Sequence, residues 1–508
     1  MPGIVVNTSV RTGPSTTNIS PTATFFIVGR TERGPSDAAK LVTSLADYES
    51  RYGGFVSGAY THQQVQTFFE EGGAQVYVSR VVGASATTAE ATLSVTGGDI
   101  TLTAVGAGDW ADDNLEAEIV SLGSGHALKV YLSDVLVYST GECADVATMN
   151  NKINNSAVAA KYVTSSYDSG ITALIVVAAT SFAGGDENSA SINASSYSFG
   201  TDETDVSSTY AITKGLTAFG AELGPGAVAI PGQGNASTTD PSDSSASTIQ
   251  KDLLNHSYNN QRVALLSIDD GISLAGAEED GDDASAYTHS EYGALYYPWV
   301  KITNDTGAVE AISPEGFVAA KRAVAHNGTG PWRAYAGSDT TANFVSGVQQ
   351  AISKSQSDSL DEHRVNGIRI INGAARIYGA RSLSTDEDNY RFITAREMLN
   401  YVVDRAETAL EDLVFSPIDG RNSLFSKVQA RLVAILEPIR TAGGLFESFD
   451  NTGKRIDYGY SVQVDEAINP LSQLAGGLVK AKVGIRVSSV ADQIEVDVTK
   501  SNLTASVV

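Results

Sequence analysis

The sequence predicts a multidomain α/β (α+β) protein: an α/β core, a β-rich outer domain inserted into it, and an extended arm at each end. Three observations carry this. Residues 24–82 alternate buried-strand runs with amphipathic helices, and the same character resumes near Tyr210. Between them, residues 83–207 are rich in Ser, Thr, Ala and Gly, with strands that alternate apolar and polar. Both termini show extended patterning with no helical period. The 508 residues exceed one ordinary compact domain. The boundaries expected are 1–22 for the N-terminal arm, 23–82 for the first core part, 83–207 for the insertion, 208–487 for the second core part and 488–508 for the C-terminal arm.

In chain order, Thr24-Phe-Phe-Ile-Val-Gly29 is a short, mostly apolar run ended by glycine, the signature of a buried strand. Ser44 before Leu45–Tyr52 and Gly53-Gly54 after it spell N-cap, helix and stop. Val65, Phe68 and Phe69 mark a second helix ending at Gly72-Gly73, and Gln75–Val82 a second strand. In the insertion, Leu115–Val120, Ala127–Leu132 and Asp134–Tyr138 alternate as strands, the last a hairpin return. A polar linker is expected over Ser181–Thr204. Ala227–Pro231, Arg262–Ile268 and Tyr296–Ile302 read as further strands, Ser247–His256 and Gly316–Ala325 as helices.

Two helical stripes follow. Phe392, Ile393, Leu399, Val402, Val403, Ala406, Leu410, Leu413 and Val414 form the first, which ends before Pro417; Leu424, Phe425, Val428, Leu432, Ile435, Leu436 and Ile439 form the second. Each of these large side chains contributes roughly 1.5–3 kcal/mol on burial, so both stripes face a core. Tyr460–Val464, Gly477–Val487 and Gln493–Thr499 alternate as strands. The arm strands, with Ile4, Val5 and Val6 at one end and Ile494, Val496 and Val498 at the other, lack an evident hairpin partner. They are therefore candidates for strand addition between subunits.

The charge, 34 basic against 59 acidic residues for a net −25, disfavours nucleic acid or an anionic membrane as a partner. One cysteine, Cys143, precludes an intrachain disulfide or a thiolate metal site. The N-terminus lacks the basic-then-apolar pattern of a secretory signal, and the longest apolar run, Ala173–Ala179, is short of the ~20 residues of a membrane helix. His62, His126, His256, His289, His326 and His363 stand singly, without metal-ligand spacing. Two loops, from Gly106 and from Gly224, match a dinucleotide loop only formally and read as turns. The acidic run Glu278–Asp283 lacks the spacing of a calcium loop and reads as a solvated loop, while Asp386–Asp388 suits a helix start. No phosphate loop or nucleophile elbow is present. Neither catalytic residues, nor a cofactor, nor a metal is expected.

Five segments in order resemble the contractile phage tail sheath family. They are Gly29–Pro35 with Leu41–Gly54; Phe68–Val81; Ala294–Ile302; Ser313–Ala319 with Gly330–Ala334; and Gly367–Gly373 with Arg376–Ser384. Trp110–Leu115 adds a shorter likeness inside the insertion, and Glu315 and Tyr378 depart from the family pattern. The resemblance implies a non-enzymatic subunit of a contractile tail. It would polymerise with itself into a helical sleeve around a tail tube protein, meet baseplate and tail terminator proteins, and drive the tube by contracting. It implies a place in a virion, after assembly in the host cytoplasm, or in a headless bacteriocin-type particle. An α/β nucleotide-binding enzyme is the competing class and lacks its phosphate loop. Arg421, Lys427, Arg431 and Arg440, a basic series in an acidic chain, are expected to face the tube. Hinges are expected where the arms leave the core.

Overall fold

A computed structural model describes residues 20–198, 214–233, 245–304 and 307–492. The arm residues Ile4, Val5, Val6, Ile494, Val496 and Val498 lie outside the described residues, as does the strand expected at 493–499. The core begins with β1 (Phe25–Gly29), β2 (Lys40–Val42), α1 (Leu45–Tyr52), α2 (Thr61–Glu70) and β3 (Val76–Arg80). Ser44 caps α1 by accepting from the Asp47 amide, as its position before the apolar stripe requires.

The insertion holds β4 (Glu90–Val95), β5 (Gly98–Ala104), β6 (Leu115–Leu122), β7 (Gly125–Leu132), β8 (Val135–Ser139), α3 (Val146–Asn154), β9 (Val163–Tyr167) and β10 (Val177–Ser181). Its strands form two sheets, β10-β6-β7-β8 and β4-β5-β9. One apolar cluster, from Ala89 to Phe182, lies within it, fed by the alternating inward residues Ala91, Leu93 and Val95 of β4 and Leu115, Ala117 and Ile119 of β6.

The chain then returns through α4 (Ala194–Ser198), β11 (Ala227–Ala229), α5 (Ser245–Asn259), β12 (Val263–Ser267), α6 (Leu274–Ser285), β13 (Gly293–Tyr297), β14 (Val300–Thr303), β15 (Val309–Ile312), α7 (Glu315–Gly328), β16 (Gly347–Val348), α8 (Lys354–Glu362), β17 (Val365–Ile371) and β18 (Ala374–Tyr378). The eight-stranded core sheet runs β18-β17-β13-β12-β11-β1-β3-β2. It is parallel from β17 to β3 and antiparallel at its two edges. Period-two alternation sends Phe25 and Ile27 to one apolar cluster, with Val65, Phe68 and Phe317, and Phe26 and Val28 to the other, with Leu253 and Leu360. That is why β1 reads as an unbroken apolar run.

Four sequence expectations change. The run Tyr296–Ile302 is two strands: β13 ends at Tyr297, Pro298 offers no amide to a ladder, and β14 joins a separate sheet with β15 and β16. The acidic run Glu278–Asp283 lies in helix α6, capped by Ser273, because Ala277, Gly281 and Ala284 form a buried small-residue face. A Cβ at Gly281 would stand 2.2 Å from the His363 carbonyl, so only glycine fits there. The segment expected as a polar linker carries α4 and packs Ile192, Ala194 and Tyr197 on the core. The strand expected over Gly477–Val487 is extended in a ladder only at Lys482–Ile485.

Two buried arginines join segments distant in sequence. Arg80, at the end of β3, donates to the carbonyls of Thr31, Gly34 and Ala107, so it ties the core to the insertion; burial draws its guanidinium down to about 10. Arg262 donates to the Gly224 and Gly220 carbonyls and to His256 Nε2 at 2.9 Å, over the face of Phe26 at 4.0 Å. Burial, and then Arg262, push the His256 imidazole down to about 3. The folded protein therefore keeps His256 neutral where the unfolded chain takes a proton below about pH 6.5. Stability falls as pH drops from there toward 3, by at most about 1.4 kcal/mol per pH unit from this group. His256→Gln, which still accepts from Arg262, is expected to flatten that acid limb in urea melts at pH 4–7; an unchanged slope refutes it.

Candidate interaction surfaces

In an open parallel sheet, a small ligand binds where strand order reverses, outside the carboxyl ends of the strands. Here that point lies between β1 and β11. The crevice is walled by Arg30, Gln233 and Ile249, and the chain's own Ser189, Ile192, Asn193, Ala194 and Tyr197 line it from the insertion's return. Arg30 is turned to Glu187 at 3.3 Å. Among the described residues, no group of three His, Cys, Asp or Glu side chains converges to hold a metal ion.

The last part of the chain builds a unit of its own. It comprises α9 (Glu387–Tyr390), α10 (Ile393–Leu410), α11 (Ser423–Thr441), β19 (Ser448–Phe449), β20 (Arg455–Asp457), β21 (Tyr460–Gln463), α12 (Leu471–Ala475) and β22 (Lys482–Ile485). Leu424, Phe425, Val428, Leu432, Leu436 and Ile439 bury one face of α11 against α10 and the β21–β22 pair. That pair is a two-stranded sheet, so each strand has one edge without a ladder partner among the described residues. Val483, Ile485 and Val487 line a groove against Arg391, Phe392 and Leu399.

The four basic residues separate. Arg421 lies in the turn before α11 rather than on it. Arg431 forms a two-pronged ion pair with Asp412, both contacts 2.7 Å, and donates to the Ala409 carbonyl. Arg440 is held by Glu437 and Glu447 at 2.7 Å. Arg421 and Lys427 are exposed, and neither forms an ion pair among the described residues. An exposed apolar set flanks the same unit: Phe415, 102% exposed and at φ 65°, Leu471, Leu478, and Val414, which the first stripe placed facing the core but which lies past the end of α10 and is 59% exposed. Phe415 follows the last residue of the first stripe and precedes Pro417 by two positions, the only sequence hint that it would leave the core.

The described residues at the two ends, where the arms are expected to begin, are held differently. At the N-terminal root, the Ser20 amide donates to Asn327 Oδ1, Thr22 Oγ1 meets His326 Nδ1 at 3.0 Å, and Arg322 donates to the Thr22 carbonyl. Arg322 also binds Glu397 of α10 through two contacts of 2.6 Å, both side chains 1% exposed. Burial, and then Arg322, hold the His326 imidazole well below its usual range, hence neutral. The C-terminal root is lighter: Ser488 donates to the Gly444 carbonyl, and Asp492 pairs with Arg391 at 3.0 Å on the surface.

No protein-family model matches the sequence, and no curated protein matches it significantly. Solved structures do. A chain of the anti-feeding prophage baseplate is 16% identical and matches 99% of each chain with a TM-score of 0.53. The sheath of an extracellular contractile injection system, solved contracted, is 16% identical over 99% of this chain and 98% of its own, again at 0.53. The sheath tail protein Lin1278 of Listeria innocua is 13% identical over 89% and 91%, at 0.58. These likenesses establish the fold, that of contractile sheath proteins, over nearly the whole chain.

Proposed function

We propose that this chain, which carries the contractile-sheath fold from end to end, is the sheath subunit of a contractile tail. Copies stack into a helical sleeve around a tail tube protein, anchored on a baseplate and closed by a terminator, and contraction drives the tube through a target envelope. The observation that carries the reading is the match over 99% of this chain and 98% of the other to a sheath solved in its contracted state. It excludes a fold shared only through the α/β core, since insertion and C-terminal unit are matched too. The edges of β21 and β22 that have no ladder partner among the described residues suit the addition of arm strands from neighbours, each backbone hydrogen bond adding roughly 0.5–1.5 kcal/mol. A mesh of such strands lets subunits rotate while remaining joined. The insertion, residues 83–207, is assigned to the outside of the sleeve.

Negative-stain microscopy of the purified full chain tests the reading: striated sleeves are expected, and a uniform population of monomers at all concentrations and salts overturns it. Tube contact is assigned to Arg421 and Lys427, because the other two basic residues are neutralised within the chain. Arg421→Glu with Lys427→Glu is expected to lower the yield of sleeves assembled on tubes by about tenfold, a loss of about 1.4 kcal/mol per contact set. Equal yield from the doubly reversed chain removes that assignment. A headless particle uses the same sleeve, and capsid genes beside the coding sequence distinguish it from a phage.

A further inference from the structure

Strands β17 and β18 are joined by Asn372-Gly373, both at positive φ (53° and 82°), a two-residue turn that fixes the pairing register. The register sets Ile368 opposite Ile377 on the core face and Arg369 directly opposite Arg376 on the other. Like charges facing each other across a strand pair destabilise it. Arg369 lies over the ring of Tyr378 at 4.9 Å, and Tyr378 is 48% exposed. Neither arginine forms an ion pair among the described residues, and the Nε of each is buried without a hydrogen-bond partner. Arg381, a few residues on, shows the alternative, gripped by Glu387 at 2.7 and 3.0 Å. The outer edge of β18 is taken: Ala342 donates to the Ala375 carbonyl and Ile377 to Thr340 Oγ1. What is open is the face, not the edge.

We propose that the face formed by Arg369, Arg376 and Tyr378 docks carboxylates of a second copy of this chain. Charge complementarity selects that occupant. With 59 acidic and 34 basic residues, any copy presents surplus carboxylate, and an uncompensated arginine pair is the complement of such a surface. Arginine and tyrosine are also the residue types enriched where protein surfaces meet. A groove of about 520 Å³ lined by Trp332, Tyr378 and Phe392 runs beside the pair and adds apolar surface to the same contact. The inference rests on the sleeve reading in naming one of its subunit contacts.

Arg376→Glu separates this docking role from a structural one, because the two predict opposite signs. In the monomer it replaces a like-charge cross-strand pair by an opposite-charge pair, so the variant is expected to melt above the wild type by about 1–2 °C. In self-association followed by sedimentation velocity, it is expected to weaken binding at least about tenfold at low salt, with the difference shrinking at high salt. Arg376→Gln, which leaves the Arg369–Tyr378 stack, is expected to fall between them. Sleeves of equal yield and salt dependence from wild type and Arg376→Glu overturn the inference and leave the sleeve reading standing. Salt-sensitive wild-type oligomers that are not sleeves, and that Arg376→Glu dissolves, support the inference and overturn the sleeve reading. A wild type that stays monomeric throughout overturns both.

Discussion

Glu397→Ala is expected to lower the free energy of unfolding by about 3–5 kcal/mol, the cost of leaving a buried charge without its partner. Arg322 and Glu397 are each 1% exposed and joined by two contacts of 2.6 Å. Removing the carboxylate strands the guanidinium among Tyr296, Tyr335 and the end of the N-terminal arm, with only the Thr22 carbonyl left to it. Alanine also leaves a void beside α10. The double variant Arg322→Met with Glu397→Met fills the same space without charge and is expected to recover most of the loss, since apolar replacement of a buried pair is often neutral. Denaturant melts of the three chains check this, and a single variant within about 1 kcal/mol of wild type rejects it. Hydrogen exchange adds a local readout: residues 20–24 and the first turns of α10 lose protection together in Glu397→Ala, because one side chain holds both. That result would mark Ser20–Thr22 as a clamped segment.

Removal of residues 493–508 is expected to leave a folded monomer and abolish sleeves. None of the apolar clusters among the described residues uses a side chain beyond Val487. For an arm that acts only between subunits, the melting temperature is expected to move by less than about 2 °C, the shift of a chain that loses under about 1 kcal/mol. Cutting after Asp492 keeps the Arg391–Asp492 pair and the Ser488–Gly444 hydrogen bond that shape the root. Assembly is where the loss should appear, since strand addition multiplies a few hydrogen bonds per arm over every subunit of a polymer. Sleeves of normal length from the shortened chain contradict the arm's role. Together with the Ser20–Thr22 clamp, the result would place more of the rearrangement on the C-terminal root.

Local physics made much of the core legible in advance. The apolar run of β1 marked a buried strand, and Ser44 with Gly53 bracketed α1. The stripe of α11 gave its buried face almost residue by residue. By contrast, α10 buries Ile393 and Val402 of its stripe together with Thr394, Glu397, Met398 and Asn400, which form ion pairs and hydrogen bonds or fill space that periodicity does not report, and leaves Val403 exposed. Errors came where a distant neighbour outweighed local pattern. Glu278–Asp283 looks solvated until Gly281 is seen against the His363 carbonyl, which draws the whole turn into a helix. Tyr296–Ile302 stays apolar through Pro298 as far as Val300, and only the positions of β12 and β16 show that its halves serve different sheets.

For the surfaces, residue type was visible and commitment was not. Arg421, Lys427, Arg431 and Arg440 look alike in the chain, yet Asp412, Glu437 and Glu447 neutralise two of them, because partners up to 19 residues away fold back onto α11. Arg369 and Arg376 look like two ordinary surface cations until the Asn372-Gly373 turn sets them opposite each other. The amino-acid sequence by itself determined the α/β alternation, the β-rich character of the insertion, the apolar face of α11 and the surplus of acid. Those follow from periodicity, capping and composition, which act over a few residues or over the whole chain. Only the tertiary structure decided which charges are spent, which strand edges are open and which arm root is clamped. Each of these depends on a distance between residues far apart in sequence, and electrostatic and hydrogen-bond energies fall off over a few ångströms.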